Sequence, residues 1–67
     1  MKIFVNGNEH ELEGSSITVE DVIKTVNMPS MGLVAELDGE IISNKDFSKS
    51  LIKDNSKLEL IRIVGGG

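Results

Sequence analysis

The stretch ITVEDVIKTV, residues 17 to 26, is the clearest helical signal in the chain. Val19, Val22, Ile23 and Val26 recur at i, i+3, i+4 and i+7 and so form one apolar stripe. Thr18 is placed to cap the helix, with Asp21 three residues on as a variant of the capping box, and Ile17 before the cap can staple onto Val22. Pro29 is expected to stop the helix soon after. Four β-branched residues on one stripe run against helical propensity, so this helix depends on a sheet to pack against. The rest of the core must then come from strands.

Two pairs of turn residues supply those strands. Asn6-Gly7 tolerates the positive φ angles of a two-residue hairpin, which joins KIFV at residues 2 to 5 to a second strand over residues 9 to 13. Alternation puts Ile3 and Val5 on one face and Phe4 on the other, while His10 and Leu12 oppose Glu9, Glu11 and Glu13. In GLVAELDGEII, Asp38-Gly39 predicts a second hairpin with Leu33, Ala35 and Leu37 on one face. Within SNKDFSKSLI, the four-residue spacing of Phe47 and Leu51 predicts a turn or two of helix anchored in the core. KDNSK is turn chemistry, and LELIRIV is the last strand, with Leu58 and Leu60 alternating with Glu59, Ile61 and Ile63. The sum is a single α+β domain over residues 1–64, a sheet of four to five strands covered by one main helix plus a short helical turn, followed by a flexible tail at residues 65–67.

Composition narrows the chemistry. Sixty-seven residues allow one modest core, and with Phe4 and Phe47 as the only aromatics that core must be largely aliphatic. The absence of cysteine excludes disulfides, thiolate metal sites and a cysteine nucleophile. Eleven acidic against seven basic side chains give a net charge of −4, the wrong sign for nucleic acid and a fit for a basic protein partner. No segment has signal-peptide or membrane-span character, so the expectation is a cytoplasmic protein with no membrane partner.

Each candidate reactive group inside the domain has a plainer structural reading. His10 is the one histidine and has no second ligand for a metal; Met28 and Met31 flank Pro29, where methionines fill gaps at a helix end; Ser15 and Ser16 precede the helix cap and lack a triad. Glu20 and Asp21 sit in the first turn of the helix, where the dipole accounts for them. There is thus no self-contained catalytic constellation, and the chain is not expected to be an enzyme. Two features remain. Phe4, Ile61 and Ile63 have the wrong parity for the core and, with Val64, are candidates for a partner interface on the uncovered sheet face. The strand also runs directly into Gly65, Gly66 and Gly67. Three extended glycines span about 10 Å and can carry a terminal carboxylate into a narrow site with no side chains in the way. That carboxylate becomes an acyl donor once attached to the α-phosphate of ATP, with a partner enzyme supplying magnesium and positioning.

MKIFVNG at one end, the capped helix of ITVEDVIKTV, LVAELDGEII in the middle and VGGG at the other end together resemble the ThiS family of sulfur carriers of thiamine biosynthesis, over the whole chain. MKIFV is also similar to the first strand of ubiquitin. The resemblance implies a mixed sheet in the ubiquitin-like β-grasp fold. It further implies that an E1-like adenylyltransferase of the ThiF type, using ATP and Mg that this chain does not itself bind, activates Gly67 as an acyl-adenylate. A sulfur donor enzyme then supplies sulfur, AMP leaves, and a thiazole synthase of the ThiG type takes sulfur from the resulting thiocarboxylate. Gly67 is then the reactive residue, and Gly65 and Gly66 thread it into the partner. The sequence departs from the family at ISNKDF, where many members carry a proline-arginine pair before the aromatic residue.

Two other readings are open at the level of sequence. One is a MoaD-like carrier for molybdopterin or another sulfur product, though IRIVGGG lacks the prolines frequent before the glycines of those subunits. The other is a ubiquitin-like module that binds through its sheet face without covalent modification. Such a module keeps its affinity when Gly66 and Gly67 are deleted, whereas a carrier loses all sulfur loading.

Overall fold

Both hairpin turns form where the two dipeptides place them. In the computed structural model, which describes residues 1–29 and 31–63, Asn6 and Gly7 have φ of 50° and 84°, and Asp38 and Gly39 have 49° and 90°. The first turn joins β1 (Lys2–Val5) to β2 (Asn8–Glu11), and the second joins β3 (Leu33–Leu37) to β4 (Glu40–Ile42). Between the hairpins lies α1 (Val19–Thr25); after them come a 3-10 turn (Asn44–Asp46) and β5 (Lys57–Arg62). The five strands form one mixed sheet in the order β2-β1-β5-β3-β4, with β5 antiparallel to β3 and parallel to β1. The expected division between residues 64 and 65 lies outside the described residues.

The helix is capped as its sequence predicts. The Thr18 hydroxyl accepts from the Asp21 N–H at 3.2 Å, and the Asp21 carboxylate accepts from the Thr18 N–H at 3.0 Å. Its end differs from expectation, because the helix stops before Pro29 acts. Asn27 takes the left-handed conformation at φ 58°, the Met28 N–H donates to the Ile23 carbonyl at 3.2 Å and the Asn27 N–H to that of Lys24 at 3.1 Å. This is a Schellman ending, with asparagine in the place usually taken by glycine. Seven residues are too few to hold a helix alone, so its stability comes from burying Val19, Val22 and Ile23 against the sheet.

The core on that side of the sheet is Ile3, Val5, Ile17, Val19, Val22, Ile23, Leu33, Ala35, Phe47, Ile52, Leu58 and Leu60. Phe47 is its one aromatic. Leu51 does not join it. It is 60% exposed while its neighbour Ile52 is buried, because this segment runs extended along the start of the helix rather than as a helical turn. The Val19 N–H donates to the Ser50 carbonyl at 2.9 Å and the Ile52 N–H to that of Ile17 at 2.8 Å, so side chains alternate with period two. The second strand also ends earlier than residue 13: Leu12 still exchanges hydrogen bonds with Met1, but Gly14, at φ 111°, then turns the chain away.

The parallel junction is short, and Asn6 lengthens it. β1 and β5 share only the pairs Phe4 with Lys57 and Val5 with Leu58. Asn6 has already turned toward β2, yet its N–H donates to the Leu58 carbonyl at 2.9 Å. Its side-chain oxygen accepts from the Leu60 N–H at 2.7 Å, and its amide nitrogen donates to the Leu60 carbonyl at 3.4 Å. The side chain stands in for one more residue of strand. Asn6→Gly keeps the positive φ and deletes both side-chain bonds, leaving a nearly buried N–H unpaired; urea unfolding is expected to show a loss of about 1–3 kcal/mol.

Asp21 gives the cap a pH dependence. Its carboxyl is held below its ordinary 3.8, first by the backbone N–H of Thr18, then by the Thr18 hydroxyl, with Lys24 adding to the effect. A depressed folded-state value means that the carboxylate stabilises the fold above about pH 3.8 and that this contribution is lost as pH falls through the lower folded value. Asp21→Asn is expected to flatten the acid limb of the melting-temperature profile and to leave the neutral-to-alkaline limb parallel to wild type.

Candidate functional site

The helix covers one face of the sheet, and alternation fixes what stands on the other. Cα pairing sets Val34 directly opposite Ile61, Glu36 opposite Glu59 on one side and opposite Ile41 on the other, and Phe4 between Lys57 and Glu9. Ile61 is 49% exposed, Ile41 and Ile63 are each 61% exposed and Met31 is 84% exposed, with Val34 half-buried among them. Met31, Val34, Ile41 and Ile63 line one groove at the end of the sheet where β5 leaves it, and Ile61, the cross-strand partner of Val34, extends it into an apolar patch.

The structure thus joins two of the interface residues predicted from sequence and separates a third. Ile61 and Ile63 lie in the patch. Phe4 shares the open face, but it stands beside Lys57, four residues back along β5 from Ile61, or about 13 Å. It is half-buried, with the Lys2 ammonium 5.8 Å from its ring centroid, and belongs to a separate shallow surface with Gly7, Lys57 and Glu59. Val64, Gly65, Gly66 and Gly67 lie outside the described residues.

Met31, Val34 and Ile41 were not legible as interface residues. Val34 and Ile41 could have been found by carrying the parity of Leu33, Ala35 and Leu37 to the opposite face. Met31 carries no such signal, and it does not fill a gap at the helix end as expected; Met28 does, packed half-buried against the core. Arg62 helps place Met31. Its register sets it opposite Leu33, on the helix side, but at the sheet's end its guanidinium reaches the chain beyond and donates to the carbonyls of Met31 at 3.0 Å and Pro29 at 3.1 Å.

Gly32 places Ile63. The Ile63 N–H donates to the Gly32 carbonyl at 2.8 Å, which continues the β3–β5 ladder one step past both strands. Gly32 has φ of 71°, and a Cβ there would lie 3.2 Å from the Ile63 carbonyl oxygen. Gly32→Ala is therefore expected to cost about 1–2 kcal/mol in chemical denaturation from the left-handed backbone alone. In NMR spectra its largest shifts should fall on residues 31–33 and 61–63, with the helix unmoved.

Among the described residues no three His, Cys, Asp or Glu side chains gather as a metal site. His10 stands beside Ile3 on the helix-side face of edge strand β2, half-buried, as its parity predicts. Ser15 and Ser16 are exposed in the loop before the cap. No helix among the described residues is long and apolar enough to cross a membrane.

Comparison with known proteins gives a consistent picture. The model of the ThiS family matches residues 3–67. The chain is 34% identical over 64 residues to the uncharacterized protein ycf40 of Trieres chinensis, covering 96% of this chain and 86% of that one. It is 30% identical over 67 residues to a thiazole synthase of Paramagnetospirillum magneticum, covering all of this chain but only 20% of that protein's length. Among solved structures, the crystal structure of the thiamine biosynthesis protein ThiS from Geobacter metallireducens superposes with a TM-score of 0.84 at 26% identity, covering 100% of both chains.

Proposed function

The chain belongs to the ThiS family, and from that premise we propose that it is a sulfur carrier for thiamine synthesis whose reactive group is the carboxylate of Gly67. Its mixed five-stranded sheet with one helix and a 3-10 turn is the ubiquitin-like fold of the ThiS structure it matches. The observation that carries the proposal is the extent of the family match, which runs from the first strand through Gly67. The central strand of the sheet therefore leads into the three glycines within the matched region.

In this reading a carboxylate oxygen of Gly67 attacks the α-phosphate of ATP on an adenylyltransferase of the ThiF type, and pyrophosphate leaves. Hydrosulfide, delivered by a donor enzyme, then attacks the acyl carbon and displaces AMP, which gives the thiocarboxylate. The mixed anhydride is needed because a free carboxylate, ionised at neutral pH, is a poor acyl donor. Magnesium and the cationic groups that stabilise the transferring phosphate belong to the partner. This chain contributes recognition and presentation, with Gly65 and Gly66 as the thread, and it acts as a protein substrate in the cytoplasm. A thiazole synthase of the ThiG type receives the sulfur. The apolar patch around Ile61 and Ile63 is the docking surface, with Val64, next in sequence, as a further contact, while Phe4 stands apart on the same face beside Lys57.

Adding one alanine after Gly67 displaces the reactive carboxylate and touches no core residue. With ATP, magnesium, the cognate adenylyltransferase and a sulfur donor, intact-mass spectrometry should show oxygen replaced by sulfur in the native chain and no change in the extended one. The unfolding midpoints of the two should agree. Equal loading of both chains would remove Gly67 from the reaction.

A further inference from the structure

We propose that Glu36 and Glu59 act as a charge lock on the docking face, accepting an arginine of a thiazole-synthase-type protein partner and rejecting a second copy of this chain. The inference rests on the carrier reading above and adds to it the chemistry by which one partner is chosen.

The two glutamates are direct cross-strand partners in the middle of the open face. Like charges facing each other across a sheet destabilise it, and neither carboxylate has an ion pair among the described residues. Lys57, two residues back on β5, is on the same face beside Phe4 and does not bridge to either. The next row toward the sheet's end is the Val34 and Ile61 pair, and Ile41 flanks Glu36 on β4. An occupant must therefore combine an apolar stem with a terminal cation that spans two carboxylates. Arginine has both, because its methylenes pack on apolar surface while its planar fork donates to two acceptors. An isologous contact with a second copy would bring together four carboxylates, two from each chain, and a wrong partner is penalised by such repulsion.

One observation favours the thiazole synthase as the occupant. In the Paramagnetospirillum thiazole synthase, a region similar to this whole chain occupies a fifth of one polypeptide, an arrangement that keeps it at high effective concentration toward the remainder of that protein.

The test is calorimetric titration of this chain into the thiazole synthase of the same organism, comparing wild type with E36Q/E59Q. We expect the variant to bind about tenfold more weakly or worse and to lose much of the salt dependence. Its unfolding midpoint should be equal or higher, since a repulsion is removed. Unchanged affinity, no wild-type binding, or weakening confined to the adenylyltransferase would each overturn the proposal. So would a wild-type dimer in sedimentation velocity that Ile61→Asp dissolves, because a second copy would then occupy the face. Loading of wild type at Gly67 is scored separately by mass spectrometry. A loaded wild type with unchanged variant affinity rejects the charge lock alone, whereas absence of loading rejects the carrier reading.

Discussion

Strand β5 is seated between two hairpins, the first separated from it by most of the length of the chain, and two turn side chains hold it there. Asn6, from the first hairpin turn, pairs with Leu60 through its amide. Asp38, from the second, accepts the Lys57 N–H at 2.8 Å, while its own N–H donates to the Lys57 carbonyl at 2.9 Å. Each residue is chosen twice: once because it tolerates a positive φ, and again because its side chain imitates a strand's hydrogen-bonding groups. The turn before β5 closes the circuit, with the Asp54 carboxylate accepting from the Lys2 N–H at 2.8 Å. Without these bonds the parallel junction is only two residue pairs, too little to offset the closure of so long a loop.

This seat settles the geometry on which the functional reading depends. Placing β5 at the centre commits Leu58 and Leu60 to the core and turns Ile61 toward the open face, next to Val34. Because β5 runs past the end of β1, its last residues are gripped only from the β3 side, through Val34, Leu33 and Gly32. Ile63, the last described residue, is therefore held beside the exposed apolar patch. A partner that engages the open face at Ile63 meets that patch, and the Glu36 and Glu59 pair lies one row further along the same face. The helix face is spent on stability, and the open face is available for recognition.

Period-two and period-3.6 patterns carried much of this into the sequence. The capping box, both hairpin turns, the core parity of Ile3, Val5, Leu58 and Leu60 and the outward parity of Ile61 follow from local rules. What was not legible comes from contacts between distant segments. The register of β1 on β5 decides that Phe4 faces Lys57 rather than joining Ile61, and no local pattern encodes a register. The exposure of Leu51 follows from the pairing of its segment with the start of the helix, which overrode the helical spacing from Phe47. The reach of Arg62 to the Pro29 and Met31 carbonyls, and with it the place of Met31 in the patch, depends on where the sheet happens to end. At Asn27 the stop is local, since asparagine tolerates the left-handed backbone that ends the helix two residues before Pro29.

The proposed carrier bears its sulfur at Gly67, on a scaffold whose helix covers one face of the sheet. Fragment-ion mass spectrometry tests this most directly, on the chain after incubation with ATP, magnesium, its adenylyltransferase and a sulfur donor. Fragments containing Gly67 are expected to carry sulfur in place of oxygen, and fragments lacking it to be unchanged. Sulfur on any fragment without Gly67, or a chain left unmodified by several adenylyltransferases of the ThiF type, would contradict it.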